Sequence, residues 1–161
     1  MDETVITREG LARLSEELQR LRTVGRRAIA DRLAQAAASE ANRAENGDYQ
    51  HARDEQALLE RRIALLEETL RVARPVDPEP GNGRVDPGER VRLRDLDSGE
   101  RLEVELVGPL ETDLSAGRIS VVSPLGKALV GLRRGQVAGV DAPRGRRRFK
   151  VVAVEPPAPA A

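Results

Sequence analysis

Apolar residues in the first half of the chain recur at steps of three and four. Leu11, Leu14, Leu18 and Leu21 open the series, and Ile29, Leu33 and Ala36 continue it after a shift near Gly25. A polar stretch, "SEANRAENGDYQH" (39–51), interrupts the pattern. The period then returns through Tyr49, Ala52, Gln56, Leu59, Ile63, Leu66, Leu70 and Ala73. Stripes this narrow suit a coiled-coil seam rather than a helix buried on all sides. Thr7 stands where a side chain would cap the first helix. Two such helices joined by a short polar link predict an antiparallel coiled-coil hairpin over residues 1–74, its polar tip near 39–48.

The period changes after "ARPVDPEPGNGRVDPGE" (73–89). Pro75, Pro78 and Pro80 end the helix, and Gly81, Gly83 and Gly88 supply turns, so 75–89 reads as a linker. Beyond it apolar and polar residues alternate. "RVRLRDL" (90–96) and "RLEVELVG" (101–108) flank "DLDSGE", which has hairpin chemistry. "RISVVS" (118–123), "QVAGVDAP" (136–143) and "RRFKVVAVE" (147–155) add strands, and "SPLGKALVGL" (123–132) a short helical or looped insert. Residues 90–155 therefore predict a small antiparallel sheet domain, and "PPAPAA" (156–161) a disordered tail. The fold class is α+β.

Composition narrows the chemistry. With one Phe, one Tyr and no Trp, the core must be aliphatic. The 27 basic and 27 acidic side chains cancel, so contact with nucleic acid would need a local patch. The absence of cysteine excludes disulfides and thiolate chemistry. The acidic start "MDETVITREG" has no apolar signal region, and no stretch approaches the ~20 apolar residues of a membrane span. A soluble, cytoplasmic protein is expected.

Conventional catalysis finds no footing. His51, the single histidine, has no Ser or Cys partner and belongs on the solvated face of the second helix. "GNGRVDPG" lacks phosphate-loop spacing, and "RGRRR" (144–148) reads as a solvated hairpin turn or a docking patch. No aromatics interleave with the basic residues for base stacking. What remains is the oxygen-rich tip: Glu40, Asn42, Glu45 and Asp48. Such oxygens suit Mg²⁺, but they are too few and too exposed to hold it alone. A tip of this kind can complete a metal site whose other ligands lie on another molecule.

Several stretches, in order, resemble the bacterial Gre transcript-cleavage factors: "VITREGLARLSEELQRLR" (5–22), "ENGDYQHARDEQALLERRI" (45–63), "GRV" (83–85) and "ISVVSPLGKALVGLRRGQ" (119–136). The resemblance implies a hairpin followed by a domain of FKBP-like topology that docks on bacterial RNA polymerase. The hairpin tip would reach through the secondary channel toward the nascent RNA 3′ end. There the family's Asp and Glu help the polymerase hold a second Mg²⁺ and hydrolyse its own transcript, so the factor donates ligands and is not itself an enzyme.

Carried across by residue, Glu45 matches the family Glu and would share the Mg²⁺; Asn46, Asp48 and Tyr49 follow it. Asn42 stands where the family has Asp, so the catalytic pair is Asn42 and Glu45. Arg53 matches a basic position facing the RNA, but its counterpart on the first helix falls at Ala37 or Ala38. Ser123 and Pro124 match the polymerase-docking loop. An amide oxygen brings no charge to the ion, so the expectation is a monomeric factor that enters the channel with weak or absent cleavage and binds no cofactor alone. A cleavage-competent factor using Glu45 with Glu40 or Asp48 stays open. The remoter alternative, a prolyl isomerase with a chaperone arm, would want aromatic pocket walls, and Phe149 is the only aromatic in that half.

Overall fold

A computed structural model of the chain describes residues 3–38, 47–79 and 81–157. The chain divides into two compact units. One joins residues 1–11 to 73–161, and the other spans Ala12–Val72. The first residues thus belong with the sheet, whereas the sequence pattern had assigned all of 1–74 to the hairpin.

In the helical unit, α1 (Arg8–Arg20) passes through a π-helical turn, Leu21–Gly25, into α2 (Arg26–Ala38), and α3 (Gly47–Val72) follows. The π turn explains the shift in the stripe. From Leu21 through Gly25, Ile29 and Leu33 the half-buried positions advance by fours. An α-helix turns in 3.6 residues, so repeated steps of four drift off the seam, and a wider turn absorbs the excess. Gly25 also lets the helices approach: a Cβ there would lie 3.2 Å from Leu59 Cδ1.

Leu14, Leu18, Ala52, Ile63, Leu66 and Thr69 are buried. Arg22–Glu67, Arg26–Glu60 (2.9 Å) and Arg32–Glu55 pair across the seam, the number falling on one side as it rises on the other. That is the antiparallel hairpin the spacing predicts. The Arg26 guanidinium holds the Glu60 carboxyl below its ordinary value. These pairs are largely exposed and screened by solvent, so each adds little; the apolar seam carries the stability.

In the sheet unit, β1 (Thr4–Thr7) and β2 (Ala73–Val76) form a parallel pair. The main sheet has the order β5-β4-β3-β7-β6, from β3 (Arg90–Asp95), β4 (Arg101–Val107), β5 (Arg118–Ser120), β6 (Val137–Ala142) and β7 (Gly145–Glu155). It is mixed rather than wholly antiparallel, because β4 and β5 run parallel. The stretch between them holds two short 3₁₀ turns, Pro109–Glu111 and Leu114–Ala116, and so makes a crossover instead of a tight hairpin. The helix α4 (Pro124–Leu129) contributes Leu129 to a core with Val85, Val91, Leu93, Leu106, Phe149 and Val151.

The expected linker is not one. Ala73–Val76 is a strand, and Val85 is fully buried. Val85 donates its N–H to Leu132 O (2.8 Å) and accepts from Gly131 N (2.8 Å). Proline and glycine at 75–88 shape a segment woven into the sheet unit.

Two buried carboxylates set turns. The Glu111 carboxylate accepts from Thr7 N (2.9 Å), the Thr7 hydroxyl and Gly108 N (2.9 Å). The same Thr7 hydroxyl accepts from Gly10 N (3.0 Å), the N-cap expected at Thr7. Asp95 accepts from Asp97 N (2.8 Å), Ser98 N (3.2 Å) and Arg147 Nε (3.2 Å), closing the β3–β4 turn. The Arg147 guanidinium, helped by those two N–H groups, lowers the Asp95 pKa from 3.8 to about 2.

A Cβ on Gly108 would stand 2.0 Å from the Val5 carbonyl oxygen, so Gly108→Ala should lower stability by about 2 kcal/mol or more in denaturant titration. The Asp95 carboxyl is more acidic folded than unfolded, so its contribution is complete above pH 4 and lost as pH falls toward 2. Asp95→Asn should therefore be less stable at pH 7 and lose less stability than the wild type between pH 5 and 2.

Candidate functional site

The residues expected to dock on a partner lie at the start of α4, just after β5. Ser123 is the N-cap of α4: its hydroxyl accepts from Gly126 N (3.1 Å) and donates to Ser120 O (2.6 Å). Pro124 occupies the first helical turn, where a missing N–H has no cost. Gly126 sits against the Ser120 carbonyl, where a Cβ would come within 2.0 Å. The loop is therefore built rigidly, and it presents Val122, 54% exposed, to solvent. The rigidity has a local cause in capping whatever the loop contacts.

At the other candidate region, α3 begins at Gly47 with Asp48 in its first turn, where a helix N-terminus favours negative charge. Tyr49 is half-buried and Arg53 exposed. Arg53 has no acidic partner among the described residues. His51 is exposed, as its position on α3 predicts. Arg32, Gln35, Ala36, Asp48, His51, Ala52 and Glu55 line an open groove of about 370 Å³ between α2 and α3. Its sides are polar and its floor is the small side chain of Ala52, so the groove offers hydrogen bonds but no deep apolar anchor. Glu40, Asn42, Glu45 and Asn46 lie outside the described residues.

The regular seam of one unit and the rigid Ser123–Pro124 loop of the other coincide with two matched family models. "Transcription elongation factor, N-terminal" matches residues 4–74, and "Transcription elongation factor, GreA/GreB, C-term" matches residues 79–156. The chain belongs to the GreA/GreB family. Relatives described as transcription elongation factor GreA include those of Ralstonia nicotianae and Syntrophomonas wolfei. They are 41% and 40% identical to it, with 93% and 95% of this chain and 96% of each relative covered. Among solved structures, GreA factor homolog 1 of Thermus thermophilus is 36% identical over 95% of this chain and 99% of its own, with a TM-score of 0.43.

For this GreA/GreB-family chain, the positions expected at the tip and those expected to dock fall in different units. No helix among the described residues is long and apolar enough to cross a membrane. Sequence reasoning found Ser123 by resemblance and missed its role as a cap, although Ser-Pro-x-Gly before an apolar run carries the signal. If the hydroxyl works as a cap, Ser123→Ala should lower stability by about 1 kcal/mol in chemical denaturation, and Ser123→Asp should retain it.

Proposed function

We propose that this GreA/GreB-family chain binds bacterial RNA polymerase, enters its secondary channel with the hairpin tip, and modulates transcription with weak or absent transcript cleavage. Family membership over 4–156 supports the partner, and Asn42 three residues before Glu45 carries the rest. The donors at Asn42 and Glu45 are both oxygens, as Mg²⁺ prefers, so the set fits the ion in kind. It brings one formal negative charge, from Glu45. When shared with the polymerase, the ion would stabilise the charge that develops during hydrolysis.

Asn42 offers a neutral carbonyl oxygen to that site, and Glu45 the charged one. Two unit charges ~4 Å apart at an effective dielectric of 20 interact by ~4 kcal/mol, and a divalent ion doubles this before desolvation is subtracted. A net loss of ~2–3 kcal/mol slows the reaction about 30- to 150-fold. Arg53, exposed on α3, is assigned to face the RNA 3′ end, and Ser123 and Pro124 to hold the polymerase rim. Tyr49 and Asp48 support the tip from the first turn of α3.

The test is a reconstituted, backtracked elongation complex. The wild-type factor should shorten the RNA little beyond the polymerase alone, and Asn42→Asp should raise cleavage about 30- to 150-fold. Robust wild-type cleavage would end the weak-cleavage reading. If Glu40→Gln then abolished that cleavage, Glu40 would be the residue that supplies the second charge.

A further inference from the structure

The outward side of the main sheet carries two charge patterns. In one half, acids and bases alternate across the strands. Arg92 lies 2.8 Å from Glu155 and 3.5 Å from Glu103, Arg90 lies 3.5 Å and 3.7 Å from Glu103 and Glu155, and Arg118 lies 3.4 Å from Glu105. Two residues farther along β3 the alternation stops. Arg101 of β4 stands opposite Arg94, and Arg94 stands opposite Lys150 of β7. All three are exposed, and none has an acidic partner among the described residues. On the same side the Arg146 guanidinium covers Gly139, where a Cβ would meet it at 2.7 Å.

Neighbouring strands lie ~4.8 Å apart, and like charges directly opposite one another destabilise a sheet. The chain places glutamates against Arg90 and Arg92 and leaves the next row wholly cationic. Apolar residues adjoin the row. Val137 of β6 pairs with Lys150 and is 46% exposed. Val152, the extra residue at the β3–β7 bulge, is 41% exposed. With Arg92, Arg94, Arg101 and Glu103 it lines a depression of about 330 Å³.

We propose that this face is a second docking surface, which takes an acidic protein surface of RNA polymerase bearing aliphatic side chains among its carboxylates. The inference rests on the polymerase-binding reading above. Cations without partners call for anions, and the exposed valines call for apolar contact. A nucleic acid fits less well, because Phe149 is buried and no aromatic stands on this face for bases to stack upon. The face is the reverse of the one that α4 covers, so it is separate from Ser123 and Pro124.

The experiment measures equilibrium binding of the full chain to nucleic-acid-free core polymerase over a salt series. Arg94→Glu/Arg101→Glu should bind about tenfold more weakly, with a shallower salt dependence. Its melting temperature should hold or rise, because the change relieves like-charge repulsion, and Arg94→Gln/Arg101→Gln should fall between it and the wild type. Equal affinity and salt slope for wild type and variants would overturn the docking surface while leaving the polymerase reading intact. A loss seen only when a DNA–RNA scaffold is present would assign the face to nucleic acid and also overturn it. A wild type that does not bind polymerase at all would remove the functional reading itself.

Discussion

The fold turns on a single buried carboxylate. Glu111 gathers the N–H and hydroxyl of Thr7 and the N–H of Gly108, groups that lie 104 and three residues away. A buried anion with several donors is stable only while every donor is in place. The requirement propagates: Thr7 caps the first helix with the hydroxyl that also bonds Glu111, and Gly10 must lack a side chain because a Cβ there would stand 1.9 Å from the Glu111 oxygen. The parallel pairing of β1 with β2 adds the other end of the excursion. The helical unit is entered after Leu11 and left at Val72, so the first crossing begins from structure belonging to the sheet unit and the second ends in it.

Much of this was legible in the sequence, and what was not has a common cause. The helical stripe and the alternating strands follow from short-range periodicity, and they reappear as Leu14, Leu18, Ile63 and Leu66 in the seam and Val91, Leu93 and Leu106 in the sheet core. β1, β2 and the buried Val85 escaped because their partners lie far away in sequence, and the stretch that holds β2 and Val85, rich in proline and glycine, imitates a linker. Gly-Pro-x-Glu at 108–111 has the spacing of a cap, but only the fold reveals that the glutamate also bonds Thr7. The parallel β4–β5 pair was hidden for the same reason: alternation reports a strand, not its direction. Of the candidate site, residue identities were readable, and the rigid setting of Ser123 needed the structure.

A chain with equal numbers of acids and bases could scatter them at random, yet several of those on the helices and strands are matched across a seam or between neighbouring strands. Each exposed pair is worth little energetically. On the outward side of the sheet, where Arg90 and Arg92 are paired with glutamates, a neighbouring row without such pairs stands out. The row of Arg101, Arg94 and Lys150 is of this kind. An unmatched charge among matched ones is better evidence of an external partner than a high net charge would be, because it has an address.

On the proposed reading, occupancy and cleavage separate physically. Docking draws on loop and sheet surfaces of the larger unit, whereas the charge delivered to the reaction comes from a few atoms at 40–48. Binding that is equally strong before and during a reaction does not accelerate it; only interactions gained in the transition state do. An amide in place of a carboxylate at Asn42 keeps the volume and an oxygen donor, so it leaves occupancy untouched and removes only the part that strengthens as charge develops. Seam, sheet and docking loop can therefore be conserved in form while the chemical outcome changes. On this reading family membership sets where the chain acts, and one oxygen exchanged for one NH₂ group sets what it does there.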